Sequence, residues 1–111
     1  MKKAYRIKKS ADIDAVMKER AQKSNKYFKL YVKKNTLDHL RFAIGVSKRY
    51  GKAFERNRIK RQLRMIASLV TTDQSVDCFL IVHGSAKNAS FETLKSALLE
   101  LFVKHPMTKV E

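Results

Sequence analysis

Apolar and polar positions alternate along two stretches of this chain and recur at helical spacing along three others. Residues 27–33, YFKLYVK, place Phe28, Leu30 and Val32 on one side of an extended strand and Tyr27, Lys29, Tyr31 and Lys33 on the other. Residues 41–47, RFAIGVS, repeat the pattern. Phe42, Ile44 and Val46 make a core face; Arg41, Ala43, Gly45 and Ser47 make the other. Asn35, Thr36 and Asp38 between them predict a hairpin turn. Residues 77–83, DCFLIVH, are apolar at nearly every position, which predicts a strand covered on both faces. Ile59, Leu63, Ile66 and Val70 fall at i, i+4, i+7 and i+11, one stripe of a helix.

Two more helices bracket these elements. Ser10 is placed to cap the first, with Asp12 and Asp14 in its opening turn, Ile13, Val16 and Met17 on its apolar face, and an end near Arg20. Residues 21–26 then read as a loop. Asn88 or Ser90 starts the last helix, which buries Phe91, Leu94, Leu98, Leu101 and Phe102 and ends at His105-Pro106. The predicted order is α-β-β-α-β-α, an α+β, two-layer α/β sandwich forming one domain over residues 1–111.

Charge changes this picture from a fold to a candidate function. The 111 residues carry a formal net charge of +15. Residues 1–64 hold 21 Lys and Arg against 5 acids, and residues 65–111 hold 4 against 5. So one-sided a field repels itself and points to a polyanionic partner. It peaks at residues 53–64, AFERNRIKRQLR, where Glu55 is the one acid. On the helical wheel Asn57, Lys60, Arg61 and Arg64 gather opposite the apolar stripe, and Arg56 and Arg58 flank it. Planar guanidinium forks suit phosphate oxygens. A second candidate is the polar side of the sheet. There Tyr27 and Tyr31 interleave with Lys29 and Lys33 beside the small Ala43, Gly45 and Ser47, as stacked bases and their phosphates require. Ile13 and Met17 of the first helix form its opposing wall. The competing reading makes Tyr31 a rim residue covered by that helix.

Other chemistries find little support. His39, His83 and His105 are isolated from one another and from Cys78, the single cysteine, so neither a metal-ligand spacing nor a disulfide is expected. Asp12, Asp14 and Glu19 read as helix-end charges, which argues against an autonomous nuclease. The basic N-terminus is followed by no apolar signal-peptide segment, and no apolar run approaches a membrane span, so a cytoplasmic protein without a membrane partner is expected. A non-catalytic, basic RNA-binding protein of ribosomal type fits charge and groove alone.

The run GVSKRYGKAFERNRIKRQLR (residues 45–64) narrows the choice: it resembles the protein subunit of bacterial ribonuclease P. The opening YRIKKSADI, the strand ending in YVK and the pattern A-x-x-R-N-R-I-K-R-x-L-R extend the resemblance over most of the chain. The resemblance implies a left-handed βαβ crossover. It implies as partners a catalytic RNA and the precursor tRNA whose 5′ leader that RNA removes, with Mg²⁺ held mainly by the RNA and no catalytic residue in the protein. Carried onto this sequence, it makes Arg56, Asn57, Arg58, Lys60, Arg61 and Arg64 contacts to the catalytic RNA. It assigns a leader-binding groove to Ile13, Met17, Phe28, Tyr31, Ser47 and Lys48. Members often carry aromatics where this chain has Ile13 and Met17, which implies apolar contact in place of stacking at that wall.

Overall fold

The computed structural model describes residues 6–19, 21–37, 39–69 and 75–105. Arg20, Asp38, Val70 and Pro106, each part of an expectation above, lie outside the described residues. The elements are α1 (Ser10–Lys18), β1 (Gln22–Ser24), β2 (Phe28–Lys34), β3 (Arg41–Val46), α2 (Ala53–Ser68), β4 (Val76–Val82) and α3 (Phe91–Lys104). The α+β class is as expected, with one strand more than the sequence suggested.

That strand is β1, inside the segment read as a loop. It pairs antiparallel with β2, Lys23 opposite Leu30. Asn25 makes the reversal: its Oδ1 accepts from the N–H groups of Tyr27 and Phe28, both at 3.0 Å. An Asn side chain that satisfies backbone donors two and three residues on is a turn former. Its Nδ2 donates to the Ala97 carbonyl at 2.9 Å, tying the turn to α3.

The hairpin expected between β2 and β3 does not form. The sheet order is β1-β2-β4-β3, so β4 lies between them, antiparallel to β2 and parallel to β3. Its Val76, Cys78, Leu80 and Val82 are all 5% exposed or less, and an edge position would leave so apolar a strand half unpaired. The parallel β3–β4 pair is joined through α2, the βαβ unit that the resemblance implies.

Phe28, Leu30, Val32, Phe42 and Ile44 pack with Ile59, Leu63 and Ile66 of α2 and with Leu94, Leu98 and Leu101 of α3 in one core. Phe91, expected among the buried positions of α3, is only half-buried. The other face of the sheet carries α1 and a smaller core of Ile7, Val16 and Ala43. Cys78 is fully buried, and burial first, with Asp77 adding to it, pushes its thiol far above the ordinary range. A thiol reagent is therefore expected to label the native protein only as fast as it unfolds. Fast labelling under native conditions would contradict the central position of β4.

The helix ends differ in detail from expectation. Lys9, not Ser10, is the N-cap of α1: its carbonyl accepts from Asp12 and Ile13 at 3.1 and 3.2 Å. Asp12 alone is in the first turn, and Asp14 is exposed. Ser90 caps α3, accepting from the Thr93 N–H at 3.1 Å. Before α2, Glu55 reaches back to the Lys52 N–H at 3.0 Å. Gly51 is extended there, and its absent side chain leaves room for the Glu55 carboxylate. A Cβ would sit 2.8 Å from Glu55 Oε1.

Candidate nucleic-acid interface

Docking of α2 by Ile59, Leu63 and Ile66 leaves two flanks of the helix facing solvent. Asn57, Lys60, Arg61 and Arg64, grouped by the helical wheel, line one concavity along the first flank. Arg6 joins them from outside the helix, which periodicity could not foresee. Residues 6 and 7 reach this position by running along β3, where Arg6 bridges to Phe42 and the Ile7 N–H donates to the Phe42 carbonyl at 3.1 Å. Partial burial first, and then the charge of Arg6, lower the pKa of Arg64. The Arg6 Nε is buried without a hydrogen-bond partner. Two guanidinium groups are thus held together, and no carboxylate is among the residues lining the concavity. An anion placed between the two guanidinium groups would relieve that repulsion.

Arg58 does not share this concavity. It lines a separate cleft on an adjoining flank of α2, toward α3, and half-buried Arg56 lines neither. Of the six arginine-motif residues, four therefore share one concavity, Arg58 lines a second, and Arg56 lies outside both.

The second face of the sheet is built in rows across three strands. Lys33, Asp77 and Arg41 form one row, Tyr31, Phe79 and Ala43 the next, and Lys29, Ile81 and Gly45 the third. Asp77 accepts from Arg41 Nε at 2.9 Å and Nη2 at 2.6 Å, and from Asn35 Nδ2 at 2.8 Å. Arg41 Nη1 reaches Asp12 Oδ2 of α1 at 3.6 Å, so this row fastens the helix to the sheet. Burial alone would raise the Asp77 carboxyl, but the hydrogen bonds from Arg41 and Asn35 overcome it and hold the carboxyl below its usual range. Asp77→Asn is expected to cost about 2 kcal/mol, less than a fully buried pair because Arg41 keeps some solvent. Since the folded carboxyl is the more acidic one, this contribution is present above the unfolded pKa of about 4 and fades as pH falls through the folded value. Denaturation at neutral and at acid pH checks this. An equal loss at both would show that the ionised pair is not its source.

The middle row is the aromatic one. Tyr31 and Phe79 are half-buried and pack with Ile13 against Val16, so α1 lies over this face of the sheet. Met17 is half-buried on the same helix. Lys29 Nζ lies 5.3 Å from the Tyr31 ring centroid, a cation–π contact. Ser47 and Lys48 are exposed just beyond the end of β3.

Three expectations for this face are corrected. Phe28 is 0% exposed and belongs to the main core, because it shares the strand parity of Leu30 and Val32; it is not a groove residue. Tyr27 also packs against the main core. The space above Gly45 is occupied by Phe79, whose Cζ would be 2.8 Å from a Cβ there. Phe79 is the aromatic residue of this face that the sequence reading missed. Treating 77–83 as buried on both faces hid the odd-numbered Asp77, Phe79 and Ile81, of which the last two remain half-buried.

Among the described residues no group of three or more His, Cys, Asp and Glu is placed to hold a metal ion. None of the described helices is long and apolar enough to cross a membrane.

Comparison with known proteins follows the same lines. The family model described as Ribonuclease P matches residues 1–105. A ribonuclease P protein component from Onion yellows phytoplasma is 38% identical over 107 residues, covering 94% of this chain and 76% of that protein. One from Staphylococcus epidermidis is 48% identical over 102 residues, covering 88% of this chain and 87% of its own length. Among solved structures, the RNase P protein of Staphylococcus aureus superposes with a TM-score of 0.88 at 31% identity, covering 96% of this chain and 99% of that one. That of Thermotoga maritima gives 0.79 at 27% identity, covering 96% and 97%. With its crossover, its arginine-rich helix and these relatives, the chain belongs to the ribonuclease P protein family.

Proposed function

We propose that this chain acts as a single RNA-binding domain in cytoplasmic ribonuclease P, assisting a catalytic RNA in the endonucleolytic removal of the 5′ leader from precursor tRNA. One observation carries most weight: Arg6, Asn57, Lys60, Arg61 and Arg64 converge on a concavity with no lining carboxylate. That is a phosphate-binding surface, and the RNA subunit is the phosphate-rich partner that family membership implies. Family membership also sets aside the ribosomal-type alternative. Phosphodiester hydrolysis would belong to the RNA, where bound Mg²⁺ would supply Lewis-acid chemistry at the scissile phosphate. The protein's arginines and lysines lower the repulsion between phosphates that such a site gathers. Incubating precursor tRNA at low Mg²⁺ with the protein, the RNA, or both tests this: cleavage by the combination alone is expected. Cleavage by the protein alone would refute it.

The leader is assigned to the face under α1, with Ile13, Met17, Tyr31, Ser47 and Lys48 from the family pattern and Phe79 added to them. Tyr31 offers a half-buried ring with the Lys29 cation beside it, and Phe79 extends the apolar floor. Base–aromatic stacking is worth about 1–3 kcal/mol per base and tolerates any base. Tyr31→Ala is therefore expected to weaken precursor tRNA binding to the assembled enzyme by that order. Mature tRNA has no leader and should bind nearly as before. The ratio of the two affinities is the measurement; an unchanged ratio would return Tyr31 to a covered rim position.

A further inference from the structure

The flank of α2 that bears Arg58 faces a cleft of about 400 Å³ between α2, the turn at Gly84–Asn88 and the start of α3. Its floor is apolar: Ile59, Ala86 and Leu94 are buried, and so is the Tyr50 ring. Its rim carries two further rings, Phe54 and Phe91, with Arg58, Gln62 and Lys87 around them. Phe54 is 68% exposed, the most exposed large apolar side chain among the described residues. It contributes almost nothing to the core, and Arg58 lies one helical turn further along the same flank. The carboxylate at the rim is already engaged. Glu55 accepts from the Lys52 N–H at 3.0 Å and meets Lys87 Nζ at 3.5 Å. Among the described residues no acid lies within ion-pair distance of Arg58.

An exposed ring, a second ring lining the same cleft and a guanidinium with no acid beside it fit one kind of guest. That guest is a flat, polarisable group joined to a phosphate. We propose that this cleft receives a single unpaired nucleotide of the catalytic RNA, its base stacked on Phe54 and its phosphate on Arg58. This rests on the reading of α2 as the RNA-binding helix and extends it to the helix's second flank. The catalytic RNA is the source rather than the leader because the cleft lies in the layer of α2 and α3. The leader groove lies under α1, on the other face of the sheet. The amide of Gln62 and the phenol of Tyr50, which burial first and then Glu55 keep protonated, are available to the edge of the base.

The test compares Phe54→Ala with the unmodified protein in binding to the catalytic RNA across a salt titration. The expected result is about 5- to 150-fold weaker binding with an unchanged salt slope, because a stacking ring neutralises no phosphate. Phe54→Trp should retain the affinity, and the melting temperature of both variants should match the parent. The protein carrying Phe54→p-benzoylphenylalanine should photocrosslink to one unpaired position of the catalytic RNA in the holoenzyme. Wild-type affinity in Phe54→Ala overturns the proposal. So does a fall confined to the precursor-to-mature tRNA ratio, which would make the guest a leader base, and so does a crosslink to protein. Arg61→Ala in the same titration keeps the underlying reading separate. If Arg61→Ala flattens the slope while Phe54→Ala is silent, the RNA-binding helix stands and only the nucleotide cleft falls.

Discussion

Arg61→Ala combined with Arg64→Ala is expected to weaken binding of the catalytic RNA by about 100-fold or more while leaving the fold intact. A hydrogen bond to a charged group contributes about 1.5–3 kcal/mol net, so removing two arginine–phosphate bonds reaches that range. The log K against log salt slope should flatten by roughly 0.7–0.9 for each phosphate left without its arginine, and Arg6→Ala should release one more. Stability should not suffer. Arg61 is exposed, and Arg64 sits beside Arg6, whose charge it must tolerate in the free protein. The two readouts to compare are a salt titration of RNA affinity and a thermal melt. Wild-type slope and affinity in the double variant would move the interface away from this flank of α2.

Leu63→Ala should do the reverse. Leu63 is 0% exposed at the centre of the apolar stripe, with Ile59 at 3% and Ile66 at 1% on either side. Truncation there leaves a cavity between α2 and the sheet, at a cost of about 2–5 kcal/mol. For a domain of this size that lowers the melting temperature by about 10 °C or more. Below the new transition the arginines still project from a docked helix, so the salt slope for RNA binding should stay that of the parent. An unchanged melting temperature would mean that α2 is not seated on the core by this stripe. A changed slope with an intact fold would mean that the two faces of the helix are not separable.

Much of this division of labour was legible in the chain. The stripe Ile59, Leu63, Ile66 and the cluster Asn57, Lys60, Arg61, Arg64 are both consequences of 3.6 residues per turn acting on one short sequence. A helix needs no knowledge of its neighbours to separate its faces, so the wheel found both. The alternation in 28–33 and 41–46 likewise placed Tyr31 and Lys29 on a different face from Leu30 and Val32. It also placed Phe28 with the core, which the family pattern had put in the groove. Where the two disagreed, strand parity held, because successive side chains on an extended backbone must point to opposite faces.

What local pattern could not supply was which strand lies beside which. Neighbours in sequence suggested β2 against β3, yet β4 stands between them. That one change puts Phe79 over Gly45 and Asp77 between Lys33 and Arg41. Arg6 escaped notice for the same reason. Its place beside Arg64 depends on residues 6 and 7 lying along β3, a contact between positions far apart in the chain. The separation of Arg58, which lines a cleft with Phe54 and Lys87, from the cluster of Asn57, Lys60, Arg61 and Arg64 appears only once α3 is packed beside α2. By itself, then, the sequence determined every element but β1, the polarity of the faces of α2, β2 and β3, and the concentration of positive charge, all of which follow from backbone periodicity and composition. The strand order, the cores on both faces of the sheet, and the partners that Arg6, Asp77 and Phe79 meet were decided by burial of apolar area across the whole chain, a term that no short window of residues contains.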